Sequence, residues 1–172
     1  PNYNGAARAG DNLFTVSIVA IEAATGRYRW HFQQVHHDIW DYDNPPAPIL
    51  VTIGDGDESR DAVVQFTKMG LTFVLDRDTG EPIFPVEEIP VPPSRVPGEE
   101  AWPTQPFPLK PPPLVRLSLD EADLTSVTPE SRASALEQFR KFQTGYIYTP
   151  PSLQGTITTP SHQGGVEWGG AS

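Results

Sequence analysis

The stretch from Val19 to Trp30 recurs in character between Phe73 and Phe84, an offset of 54 residues (19 to 73). Each copy reads as a hydrophobic strand, an acid, two residues, Thr-Gly, and a second strand that enters an aromatic. Glycine takes the positive φ that a tight reversal needs, so Thr25-Gly26 and Thr79-Gly80 are expected to be hairpin turns. A several-stranded unit recurring at fixed spacing is the pattern of a propeller blade, and an offset somewhat above the usual roughly 40 to 50 residues leaves room for a loop insertion. Two ordinary hairpins that share a common turn would leave the same trace. The 20 prolines and 14 glycines argue against a compact helical or doubly wound protein, whereas 37% hydrophobic residues is too much for a disordered chain. Short antiparallel strands joined by long loops fit best.

Along the chain, Leu13–Ile21 pairs in expectation with Tyr28–Phe32, and Asp61–Thr67, Leu71–Leu75 and Pro82–Val86 form the second hairpin set. Residues 87–113 are so rich in proline, which removes the ladder donor, that they read as loop. A helical insertion is expected over 118–143. Ser118 with Glu121 resembles a capping box, and Thr128-Pro129 starts a helix running to about Phe142, with Ala135, Leu136, Phe139 and Phe142 packing on the scaffold. Tyr146–Thr149 and Thr156–Thr159 read as short strands, and Gly164–Gly170 as an exposed turn.

A formal charge of −10 with no basic block would repel nucleic acid. No run approaches the roughly 18 to 20 apolar residues that span a bilayer. The opening PNYNGAARAGDN is neither a signal peptide nor led by methionine, so the chain is expected to be a fragment or a processed form. Absence of cysteine excludes disulfides and thiolate chemistry within this stretch and leaves the compartment open.

The densest polar constellation is Val35-His36-His37-Asp38-Ile39-Trp40-Asp41-Tyr42-Asp43-Asn44. Three carboxylates and two imidazoles this close point to metal binding or general acid/base chemistry. On extended backbone His36 and His37 would point opposite ways and could not grip one ion together. A solvated acidic loop capped by a buried Trp40 is the alternative.

The string TGRYRWHFQQVHHDIWDYDNP resembles a signature of the pyrroloquinoline-quinone-dependent dehydrogenases. The blocks FTKMGLTFVLDRDTGEPIFPVEE, PTQPFP, YIYTPPSLQGTITTP and GGVEWGG follow in family order, and PNYNGAARAGDNLFT resembles the segment upstream. TPPSLQGT and EWGG are closer to the glucose and polyol enzymes than to those for methanol and ethanol. The resemblance implies an all-β fold, an arc of an eight-bladed quinoprotein propeller, with residues 1–172 forming part of one domain. It implies pyrroloquinoline quinone and a divalent metal, usually calcium, as cofactors. An aldose, polyol or cyclic alcohol would be the substrate, and a quinone or cytochrome the electron acceptor. The location implied is periplasmic, with any membrane anchor outside this segment.

Carried over residue by residue, Asp41 falls at the catalytic carboxylate, a general base that also touches the metal. Lys68 falls at the basic residue that contacts the quinone oxygens and stabilises charge developing there. Glu167 and Trp168 match a cofactor-side block where the alcohol enzymes show Asn-Trp, so the glutamate is a departure. Asp38 and His37 are expected to support the loop by hydrogen bonding. The remaining metal ligands and the tryptophan beneath the quinone are expected upstream of Pro1, and the last blades beyond Ser172. A non-catalytic propeller scaffold is the competing reading, but a scaffold has no need of a base and a cation at Asp41 and Lys68. A sugar-binding module using Trp102 and Phe107 would leave the Asp41 loop unexplained.

Overall fold

The computed structural model describes residues 5–171, so the first four residues of the opening block lie outside it. Strands β1 (Ser17–Ile21) and β2 (Tyr28–Gln33) form an antiparallel hairpin. Its turn closes with Gly26 at φ 71°, donating to the Glu22 carbonyl at 2.7 Å. The first strand is shorter than expected: residues 12–15 fold into a turn closed by Thr15 N–H on the Asn12 carbonyl.

The second sheet is β3 (Ile49–Ile53), β4 (Arg60–Phe66) and β5 (Thr72–Asp76), in that order and antiparallel throughout. Strand β3 is absent from the sequence expectation, although Ile-Leu-Val-Thr-Ile is rich in β-branched residues; the prolines just before it obscured the signal. After the turn at Gly80, φ 77°, the chain meets β5 through Asp76 N–H on the Glu81 carbonyl, the isolated Leu75–Pro82 bridge and Ile83 N–H on Val74, and no continuous ladder follows. The expected strand Pro82–Val86 therefore does not form. Pro82 and Pro85 lack the donors a fourth strand needs.

Val86 instead opens β6 (Val86–Pro90), which pairs with β7 (Thr104–Pro108) inside the region expected to be loop. Proline tolerates this because the ribbon has only two strands, and because of register. Val91 donates to Pro103 and Leu109 to Pro85, so hydrogen-bonded pairs fall at odd-numbered β6 positions. Pro90, Pro106 and Pro108 all sit in the alternate pairs, where the backbone nitrogen faces away from the partner.

Helix α1 (Pro129–Phe139) begins at the expected cap, with Thr128 accepting from Ser131 N–H and Ser131 reaching back to Thr128. It ends three residues short of Phe142 (139 to 142), which is exposed, and only Phe139 of the expected face is buried. The turn at Glu121–Asp123 is capped by Asp120 with Asp123, not by Ser118 with Glu121. Tyr146–Thr149 and Thr156–Thr159 are not strands. They contribute isolated bridges, Ser118 to Tyr146 and Gln143 to Thr156, and Pro150, Pro151 and Pro160 prevent longer ladders.

The repeat has a structural purpose. Trp30, which ends the first copy, lies beneath the turn of the second copy and donates its indole N–H to the Arg77 carbonyl at 3.1 Å. A Cβ on Gly80 would stand 2.5 Å from the indole, whereas a Cβ on Gly26 would meet nothing within 4 Å. Trp30, Val63 and Leu75 form one buried cluster. A larger one joins Val35, Trp40, Tyr42, Met69, Phe73 and Tyr148 under the polar loop. The two turn glycines should therefore separate in a stability assay. By denaturant unfolding, Gly26→Ala is expected to cost about 1 kcal/mol, the left-handed backbone penalty alone. Gly80→Ala should cost about 3 kcal/mol, because overpacking against Trp30 adds to it.

Candidate functional site

The loop between β2 and β3 is organised by Asp38, whose fully buried carboxylate accepts from Trp40 N–H at 2.9 Å and Tyr42 N–H at 3.0 Å. These two amides straddle Asp41. With its neighbours held to one carboxylate, Asp41 adopts φ 65°, a left-handed conformation that aspartate tolerates better than most residues. Asn44 donates to the Gln34 side chain at 2.6 Å and closes the neck of the loop; Gln34 Nε2 and Asn44 Oδ1 are buried without a hydrogen-bond partner among the described residues. Trp40 and Tyr42 stack 6.1 Å apart beneath the backbone, and the indole donates to the Thr149 carbonyl at 2.9 Å. Burial first, then the Asp38 charge, push the Tyr42 hydroxyl far above its ordinary range, so it stays a neutral donor. The support expected of Asp38 and His37 is present, since His37 Nδ1 meets the Gly10 carbonyl at 2.7 Å. His36 and His37 do diverge, but through a bend with His37 at φ 44° and not through extended backbone.

Lys68 reaches this loop from the turn between β4 and β5. Gly70 at φ 70° lets that turn close, and the fully buried Met69 anchors it in the core. Lys68 is only 7% exposed, a burial lysine accepts when paired. Its Nζ donates to the Asp41 carbonyl at 2.9 Å, to Asp41 Oδ2 at 3.3 Å and to Asp43 Oδ1 at 2.6 Å. Burial pulls the ammonium toward neutrality, but bonding and charge from Asp43 and Asp41 outweigh it, and the pKa ends above its ordinary value. Behind the lysine, Gly165 N–H donates to the Lys68 carbonyl at 2.6 Å, and a Cβ on Gly164 would stand 2.6 Å from Lys68 Cγ. Asp41 Oδ1 accepts no hydrogen bond among the described residues, and the side chain is partly open to solvent.

The β6–β7 ribbon holds the loop from a third side. Gln105, fully buried, accepts from His36 N–H at 2.8 Å and donates to the His36 carbonyl at 2.7 Å, gripping both backbone groups of one residue. His36 Nε2 faces Glu88 at 3.3 Å across the same contact.

Of the four residues expected at the site, the fold brings Asp41 and Lys68 together. Glu167 and Trp168 occupy an exposed turn, and neither side chain makes a hydrogen bond or ion pair among the described residues; their tie to the site is through Gly164 and Gly165. Asp43 was counted among the three carboxylates of the constellation but given no role of its own, and Gln105 and the glycine pair were given none. Asp43 alone carried a signal, its alternation with Asp41 at the end of the loop. No group of three or more His, Asp or Glu side chains able to hold a metal occurs among the described residues.

A family model described as the β-propeller domain of PQQ glucose/ethanol/alcohol dehydrogenases matches residues 1–172. The glycerol dehydrogenase large subunit of Gluconobacter thailandicus is 38% identical over 99% of this chain and 24% of its own length. The quinoprotein glucose dehydrogenase of Escherichia coli K12 is 39% identical over 92% of this chain and 20% of its own length. The chain thus spans about a quarter or less of these relatives. The solved structure of a europium-containing methanol dehydrogenase superposes with a TM-score of 0.53 over 94% of this chain and 22% of that one, at 21% identity, a likeness of fold alone.

Removing the ribbon's grip should loosen the loop. Gln105→Ala leaves the part-buried His36 N–H and carbonyl without their side-chain partner, and is expected to cost about 1 to 3 kcal/mol in denaturant unfolding. It should also speed amide exchange at His36 and Asp38. Wild-type stability and exchange would show that the ribbon merely rests on the loop.

Proposed function

This chain belongs to the family of PQQ-dependent glucose, ethanol and alcohol dehydrogenase β-propeller domains, and on that premise we propose that it carries the proton-accepting side of a quinoprotein site oxidising the hydroxyl of an aldose, polyol or cyclic alcohol. The observation that supports the reading most is the pairing of Asp41 with Lys68. Asp41 Oδ2 lies 3.3 Å from the buried ammonium, and the second carboxylate oxygen, which accepts no hydrogen bond among the described residues, is free to take a hydroxyl proton. Lys68 keeps a positive charge where negative charge would grow on an acceptor's oxygen. Pyrroloquinoline quinone, when bound, supplies the two-electron acceptor. The near-buried cation beside an open carboxylate suits an anionic quinone and a neutral alcohol together.

A divalent cation, calcium by the family pattern, would take Asp41 as one ligand; the described residues do not complete a cage for it. Glu167 and Trp168 would approach the cofactor through movement of the exposed turn that carries them. The glucose or polyol class is favoured by relatives named for glycerol and glucose. The quinone-or-cytochrome acceptor and the periplasmic location rest on the family resemblance. No helix among the described residues is long and apolar enough to cross a membrane. Residues 1–172 would form part of one propeller domain in a longer protein, with the proline-rich ribbon and the helix as excursions from it. A non-catalytic scaffold would have no use for burying Lys68 against Asp41.

In the full-length protein loaded with quinone and calcium, Asp41→Asn should leave unfolding unchanged within about 1 kcal/mol and lower turnover at least about a hundredfold, the scale of a lost general base. Dye-linked turnover near the wild-type value under metal saturation would refute the assignment. The 172-residue chain alone should neither bind the quinone tightly nor reduce dye, because two isolated charges cannot supply the positioning on which such rates depend.

A further inference from the structure

The Lys68 ammonium has three donors, and all three are already engaged: on the Asp41 carbonyl, Asp41 Oδ2 and Asp43 Oδ1. A new acceptor can bind Nζ only if one of these leaves. The two Asp41 contacts are hard to release, because Asp38 holds the amides on either side of Asp41. Lys68 cannot retreat, since Gly164 packs on its stem and Gly165 is bonded to its carbonyl. Asp43 differs from both. It lies beyond the Asp38 grip, its side chain is 53% exposed, and it has no other side-chain partner among the described residues. It also makes the shortest of the three contacts, 2.6 Å.

We propose that Asp43 is the resident counter-anion of Lys68, a positioning residue that holds the ammonium until an anionic quinone oxygen displaces it, and so sets the affinity for the cofactor. This rests on the function proposed above. One ammonium between two carboxylates leaves an excess negative charge that an incoming anion must meet unless Asp43 swings outward. Affinity is then reduced by the fraction of molecules in which Asp43 still occupies the lysine. Asp43 is therefore a competitor with the cofactor and not a support for it.

The test is equilibrium titration of the full-length apoprotein with pyrroloquinoline quinone, read by quenching of tryptophan fluorescence. Asp43→Asn is expected to tighten binding about two- to fivefold, the range an ion pair of this exposure supports. Asp43→Glu should restore the wild-type value, and Asp43→Asn should have no effect in a Lys68→Ala background. Unchanged or weaker binding by Asp43→Asn, while the wild type binds saturably, would overturn the counter-anion role and leave the proposed function standing. An equal gain in the Lys68→Ala background would also overturn it, by showing that the effect does not pass through the lysine. Absence of saturable binding by the wild type would sink both.

Discussion

The site depends on a buried carboxylate that does no chemistry. Asp38 is withdrawn from water and satisfied by amides on either side of Asp41. Charge-assisted bonds of this kind are about twice as strong as neutral ones. They offset the roughly 1 to 2 kcal/mol that a left-handed conformation costs an ordinary residue. Strain at Asp41 is thereby localised where the side chain must leave the loop and face Lys68. The same loop is tied at its neck by Asn44 on Gln34, from beneath by Trp40 and Tyr42, and from the side by Gln105. These contacts come from segments far apart in the chain, so the geometry belongs to the assembled fold and not to the loop itself.

The fold is built to deliver those segments. Trp30 from the first copy of the repeat lies under the turn of the second, so neighbouring units are locked by an aromatic ring and a glycine. The β4–β5 hairpin then carries Lys68 inward, with Met69 as its anchor. Proline serves this arrangement twice. It stops a fourth strand after Gly80, which frees Val86–Pro90 to leave the sheet, and it is confined to the non-bonded positions of the ribbon that results. That ribbon brings Gln105 to the loop.

Antiparallel hairpins, both Thr-Gly turns and the start of the helix were legible in the sequence because each rests on local backbone rules: glycine at positive φ, threonine and proline at a helix start. The ribbon was not, because the argument that proline forbids a strand holds for a central strand and fails for a two-stranded one whose register hides every proline nitrogen. Asp41 and Lys68 were singled out through family resemblance, not through spacing, since no local rule brings residue 68 to residue 41. Gln105, Gly164 and Gly165 act through tertiary contacts that leave no periodic trace. The expectation that Glu167 and Trp168 belong to the site was carried by motif alone, and their exposed turn gives it no contact to rest on.

The most direct measurement is a crystal structure of the full-length protein with pyrroloquinoline quinone bound. Lys68 Nζ should lie within hydrogen-bond reach of a quinone oxygen, Asp43 should have turned outward, and Asp41 should keep its left-handed backbone with Oδ1 facing the space beside the quinone. Quinone bound away from Asp41 and Lys68, with their ion pair undisturbed, would contradict the site.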